Sequence, residues 1–328
     1  MAGEFFFYPK KRRNNYSDVK ILSFNRRQYL KNLKKNFDLS QRKTATLLAC
    51  NVHPFFMIKI STPFTFLVLL LAVFYSCKKF EYSPYQKDVK DELISKNLNA
   101  LNITKLLADS EHSDDTVTIV YSGDSQRFYD ELESLVKKVN TLPNIDFFVL
   151  AGDVADFALA QEYLWVEERL RKLNVPFLCA VGNHDLIEDN GEIYTKLFGE
   201  KNYSFIYKDY KFLFHDTNGR EYGFDGTAPN LSWMDAELKD KTPKWFVGVS
   251  HISPYNEDFD KSLEQPYRKL LNSTPGFIVS LHAHLHGATD SVYYDDGVRY
   301  MTANAIVKKE FIVLKFIHGT IIKQILSY

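Results

Sequence analysis

Three times between Thr116 and Asn183 the chain runs from a short apolar stretch into a glycine and then a carboxylate or an amide. Thr116 to Tyr121 leads to Ser122-Gly123-Asp124-Ser125-Gln126, Asp146 to Leu150 leads to Ala151-Gly152-Asp153, and Val175 to Val181 leads to Gly182-Asn183-His184-Asp185. Runs this short, rich in β-branched and aromatic residues, read as buried strands. Phe128, Leu132, Leu135, Val136 and Val139 fall at helical spacing after the first run, and a second helix over about 160–173 follows the second. A β-α-β-α-β order requires parallel strands with right-handed crossovers. Asp124, Asp153 and Asn183 then share one rim of one sheet, the rim at which open α/β sheets bind ligands.

Beyond residue 200 the pattern turns to hairpins. Tyr203 to Tyr207 and Lys211 to His215 flank a polar turn, Leu231 to Leu238 reads as a helix, and the tail from Ser291 supplies further strand pairs around Asp295-Asp296-Gly297 and His318-Gly319. Two more strands end in potential ligands: Trp245 to Ser250 at His251, and Phe277 to Leu281 at His282-Ala283-His284-Leu285-His286. Trp233 and Trp245 are expected in the core. Carboxylate, amide and imidazole without thiolate suit Mn, Fe or Zn better than a structural zinc cage. The donors exceed what one tetrahedral ion needs, and a shared carboxylate would bring two ions to about 3.5–4 Å. Next to them, His184 can give or take a proton and Asp185 can orient its ring.

Gly152-Asp153-x-x-Asp156, Gly182-Asn183-His184-Asp185, His251 after a strand and a closing x-His-x-His together resemble the calcineurin-like metallophosphoesterase superfamily, over about residues 116 to 328. The resemblance implies a β-sandwich flanked by helices, an α/β/β/α four-layer fold. It further implies two metal ions: one held by Asp124 and the second closing histidine, one by Asn183, His251 and the first closing histidine, with Asp153 shared. His184 would assist at the leaving oxygen or steady the phosphoryl group, positioned by Asp185, while the ions generate hydroxide for in-line attack on a phosphate mono- or diester. Asp156 would fix loop geometry.

Two positions depart from the family pattern. Gln126 stands where the family commonly has histidine; its amide oxygen could ligate weakly or hold a metal-bound water. The closing motif lacks its usual glycine, so two frames fit. A tight turn accepts Ala283 better than Leu281 in place of glycine, which selects His284 and His286 and leaves His282 spare. Asn218 and Arg220, after a strand near the site, are candidate substrate contacts, Arg220 as a phosphate clamp.

The 41 basic and 41 acidic side chains balance overall, and the folded part has no basic, aromatic-interleaved stripe, so no nucleic-acid partner is expected. Residues 1–56 are basic and without apolar period, and are expected to be disordered or absent from the mature protein. The apolar run from Pro63 to Cys77, preceded by Met57 and Lys59, is similar to a bacterial lipoprotein signal peptide in which Cys77 receives the lipid. That reading gives an extracytoplasmic, envelope-tethered protein whose translation starts at Met57; a single membrane-anchoring helix is the alternative. Residues 78–115 read as a tether and 116–328 as the catalytic domain. Cysteines at 50, 77 and 179 offer no disulfide framework. The alternative to an esterase is a degenerate, non-catalytic member that binds a phosphorylated ligand.

Overall fold

The computed structural model describes residues 97–108, 115–188 and 190–328, which belong to a compact unit spanning Lys79–Tyr328. The basic segment and the signal-like run with Cys77 lie outside the described residues.

The three repeated units form as the periodicity dictates. Strands β1 (Thr116–Ser122), β2 (Phe147–Ala151) and β3 (Phe177–Ala180) run parallel, linked by helices α2 (Tyr129–Val139) and α3 (Ala160–Leu170). Helix α1 (Leu98–Ala108) precedes them and α4 (Glu192–Phe198) follows. A second sheet holds β4 (Tyr203–Tyr207), β5 (Tyr210–Phe214), β6 (Trp245–Val249), β7 (Phe277–His282), β8 (Thr289–Ser291) and β9 (Tyr300–Thr302), in the order β4-β5-β6-β7-β9-β8. Helices α5 (Leu231–Leu238) and α6 (Lys261–Asn272) accompany it, and the terminal hairpin β10 (Glu310–Ile317) and β11 (Thr320–Ser327) returns to the first sheet beside β1.

Alternation along the strands explains the layering. Val120, Phe148, Leu150 and Cys179 face outward onto Leu132, Leu135 and Val136 of α2, Tyr163 and Val166 of α3, and Tyr194 and Phe198 of α4. Their neighbours Ile119, Tyr121, Phe147, Val149 and Leu178 face the opposite way and meet Phe205, Phe212, Phe214, Val247 and Val249 of the second sheet. Period-two side chains on strands buried on both faces produce this split. A third cluster packs Met234 and Leu238 of α5 and Tyr267 and Leu271 of α6 onto Leu213, Phe246 and Tyr300. The order is helices, sheet, sheet, helices, the four-layer α/β/β/α sandwich that the resemblance implies. Phe147 illustrates what joins the sheets: it meets Phe205, Tyr207 and Phe212 edge-on at 5.1–6.3 Å between ring centres, each such pair adding roughly 0.5–1.5 kcal/mol beyond area burial.

The second half is less hairpin-like than its sequence suggests. β4–β5, β8–β9 and β10–β11 are antiparallel, but β5–β6, β6–β7 and β7–β9 are parallel. Helix α6, absent from the sequence reading, provides the crossover from β6 to β7. The segment read as a tether also contributes structure. Asn99 of α1 pairs with the backbone of Cys179 in both directions, Nδ2 donating to the carbonyl at 3.1 Å and Oδ1 accepting the N–H at 2.9 Å. A side-chain amide thereby covers the open edge of β3, which would otherwise present unpaired backbone groups.

Candidate metal centre

Five strand ends converge at one rim. The β1 and β2 loops are fastened by backbone bonds from Asp124 N–H to the Gly152 carbonyl at 3.1 Å and from Gln126 N–H to the Asp153 carbonyl at 3.0 Å. The second sheet joins them through His251, whose Nδ1 lies 2.8 Å from the Ala151 carbonyl. Close approach of the closing loop depends on Gly123, where a Cβ would sit 2.3 Å from the Cβ of Ala283. The methyl that Ala283 adds in place of the family's glycine is therefore accommodated by a glycine across the gap.

Asp124, Asp153 and His251, all buried, bring ligand atoms within 4.8 Å of one another. A carbonyl only accepts, so His251 Nδ1 must carry the hydrogen that reaches Ala151. Its Nε2 then faces two further acceptors, Asp153 Oδ1 at 3.2 Å and Asn183 Oδ1 at 3.1 Å. Only a second proton or a cation reconciles three acceptors at one point. Burial opposes charge on His251, yet Asp153 overrides it and pushes the imidazole up to about 10. Burial likewise opposes ionisation of Asp153, and His251 and His184 hold it well below the usual carboxylate range. Asp124 is fully buried and neither of its carboxylate oxygens accepts a hydrogen bond; His286 Nε2 faces it at 3.4 Å. A buried carboxylate left in that state costs several kcal/mol, and a metal ion among these donors removes the cost. The donor set therefore fits oxygen- and imidazole-binding divalent ions.

The remaining candidates sort by position. His284 Nδ1 lies 3.0 Å from Asn183 Oδ1, and burial lowers its pKa. His286 is about half exposed, and its contact with Asp124 raises its pKa. His282 points elsewhere, to Ser250 Oγ at 3.0 Å, stacked on Tyr300. Of the two closing frames, the structure thus brings His284 and His286 to the cluster. Gln126 is buried there too, but its amide nitrogen donates to Asp153 Oδ2 at 3.1 Å. Asp124, Gln126, Asp153, His284 and His286 all have φ between 38° and 69°, a region costing non-glycine residues on the order of 1 kcal/mol each and concentrated at functional sites.

Two expectations, for Asp185 and Asn218, are corrected. Asp185 does not orient His184: its carboxylate accepts the N–H groups of Gly182, Val154 and Ala155 and the hydroxyl of Tyr163 at 2.8–3.2 Å. It clasps the β2 and β3 loops, and burial beside Asp153 pushes its pKa up to about 7. His184 Nδ1 instead meets the Asp156 carbonyl at 2.7 Å and the Asp156 carboxylate at 3.7 Å, while its Nε2 is 4.0 Å from Asp153. Asn218 is fully buried, its amide on Asp216 at 2.8 Å and directed at the Val181 carbonyl, so it holds a loop instead of meeting substrate. Arg220 is committed to Asp258 at 2.8 Å and Glu221 at 3.2 Å. Asp258 was not legible beforehand; it is an acid in the polar loop after His251, without a motif to mark it.

The model of the family described as calcineurin-like phosphoesterase matches residues 117–288, just over half of the chain. A probable glycerophosphodiester phosphodiesterase from Arcobacter nitrofigilis is 27% identical, over 38% of this chain and 52% of its own length. A probable cyclic nucleotide phosphodiesterase from Fibrobacter succinogenes is 26% identical, over 37% of this chain and 49% of its own length. The chain spans about half the length of these curated relatives. A purple acid phosphatase from yellow lupin seeds superposes with a TM-score of 0.48 at 12% identity, over 65% of this chain and 51% of that one.

Proposed function

The chain belongs to the calcineurin-like phosphoesterase family, and from that premise we propose that it is a two-metal phosphoester hydrolase acting on diesters in preference to monoesters. One observation carries the reading: buried Asp124, Asp153 and His251 bring ligand atoms within 4.8 Å of one another, and neither oxygen of the Asp124 carboxylate accepts a hydrogen bond. Asp124 and His286, with Gln126 beside them, would hold one ion. Asn183, His251 and His284 would hold the other, and Asp153 would be shared. When bound, Mn, Fe or Zn ions would acidify water toward neutral pH and offset charge on the phosphoryl oxygens. His184, a third exposed and held by Asp156, is the proton donor to the departing oxygen. The preference for diesters follows the names of the two curated relatives.

A second reading has its own support. With the Gln126 amide nitrogen on Asp153, the first ion lacks its usual imidazole, as in a member that binds a phosphorylated ligand without turnover. Metal-loaded full-length protein assayed on bis(p-nitrophenyl) phosphate and p-nitrophenyl phosphate separates the two. Hydrolysis of the diester, abolished by chelation and restored by Mn²⁺, supports the esterase. Ligand binding without turnover at any metal loading supports the other. The proposal also includes an envelope location, facing an extracytoplasmic space through lipid on Cys77, supported by the apolar run from Pro63. Among the described residues no helix is long and apolar enough to cross a membrane. Release of Cys77→Ser protein from the membrane fraction is the expected result.

A further inference from the structure

His284 is engaged at both ring nitrogens. Nδ1 lies 3.0 Å from Asn183 Oδ1 and Nε2 lies 3.0 Å from Asp258 Oδ2. A carboxylate only accepts, so the hydrogen sits on Nε2 and the Nδ1 lone pair faces Asn183. Two acceptors meet there, beside the three at His251 Nε2. Asp258 is itself held from behind. Its Oδ1 accepts the Arg220 guanidinium at 2.8 Å, and its carbonyl accepts the Arg220 backbone N–H at 3.2 Å. Gly219 permits this packing, because a Cβ there would fall 2.7 Å from the backbone nitrogen of Asp260. The turn after β5 and the loop after β6 thus form a brace behind the closing loop, ending on one histidine.

We propose that Asp258, steadied by Arg220, is a positioning residue that fixes the tautomer and ring angle of His284 so that Nδ1 is the atom offered to a cation beside Asn183. The inference rests on the two-ion reading above. Carboxylates behind metal-bound imidazoles fix tautomer and raise ligand basicity. Arg220 therefore acts on His284 through Asp258.

Calorimetric titration of Mn²⁺ into metal-free, full-length protein tests this with the wild type, Asp258→Ala, Asp258→Glu and Arg220→Met. Asp258→Ala is expected to weaken one of the two ions by roughly 10- to 100-fold and leave the other unchanged. Asp258→Glu should regain part of that loss, and Arg220→Met should weaken the same ion by less. The unfolding temperature of the metal-free protein should stay at the wild-type value throughout. Unchanged affinities in Asp258→Ala overturn the proposal. So does an equal loss at both ions with a lower metal-free unfolding temperature, which marks a structural role. A wild type that takes up a single ion counts against the two-ion reading, and the brace is then upheld or overturned by whether Asp258→Ala weakens that ion.

Discussion

Asp153, Asn183, His251 and His284 interlock, each within 3.2 Å of another member through a side-chain polar atom, whereas Asp124, Gln126 and His286 share a looser neighbourhood. On the looser side, the Asp124 carboxylate accepts no hydrogen bond, His286 stands off at 3.4 Å and about half exposed, and Gln126 gives its nitrogen to Asp153. The interlocked side is furnished from both sheets and backed by Asp258; the looser side draws on one strand end and the last turn of the closing loop. The same ligand chemistry thus comes with unequal preorganisation, and preorganisation sets how much ordering an ion must impose when it binds. One tight and one weak ion are therefore expected.

The largest effect belongs to the residue common to both sides. Asp153→Asn should cost both ions and lower kcat/KM by on the order of 10²–10³-fold, read from metal content and diester turnover in one preparation. If one ion survives at wild-type affinity, Asp153 is not shared and the comparison breaks.

Next comes the proton. In the metal-free protein His251 is pushed up to about 10, so an ion entering the tight side at pH 7 must displace a proton. Apparent affinity there should rise with pH, by up to about tenfold per unit, until pH reaches about 10. Calorimetry in buffers of different ionisation enthalpy measures the released proton. The sign for folding is opposite: because the folded-state pKa is raised above its unfolded value, the stabilisation from the His251–Asp153 pair is full below about pH 6.5 and lost as pH rises through about 10. Chelated protein should show that loss in thermal unfolding, and metal-loaded protein should not.

Gln126→His sharpens the comparison from the other side. Restoring an imidazole should tighten only the weak ion, by roughly 10-fold, and His286→Gln should loosen that same ion. The smallest effect is Ala283→Gly, which regenerates the family's usual closing motif. With Gly123 already making room, the change should leave metal binding unaltered and destabilise by only about 0.5–1 kcal/mol through chain entropy.

Much of this was legible in the chain. The first-sheet strands and their ligands could be read because apolar runs, glycines and polar donors recur there at regular intervals. The second sheet was read less well, since α6 buries only Tyr267 and Leu271 and contains Pro266. Leu263, Tyr267, Leu270 and Leu271 do fall at helical spacing, but the proline inside that run reads as a break, and without the crossover helix parallel strands look like hairpins. At the site, ligand-type residues were visible as motifs. The roles of Asp185 and Arg220 were not, because adjacency in sequence placed Asp185 beside His184 while the turn at Asn183 aimed its carboxylate at the backbone of Val154 and Ala155. Asp258 and Asn99 act across long sequence separations, which local patterns do not encode.

Electron paramagnetic resonance during a Mn²⁺ titration of the metal-free protein counts the ions and reports whether they are close enough to couple. Two ions should enter in two steps of unequal affinity, with a spin-coupled pair appearing only in the second step, as ions about 3.5–4 Å apart require. A single ion at saturation, or two ions that remain magnetically isolated, would contradict the two-ion reading.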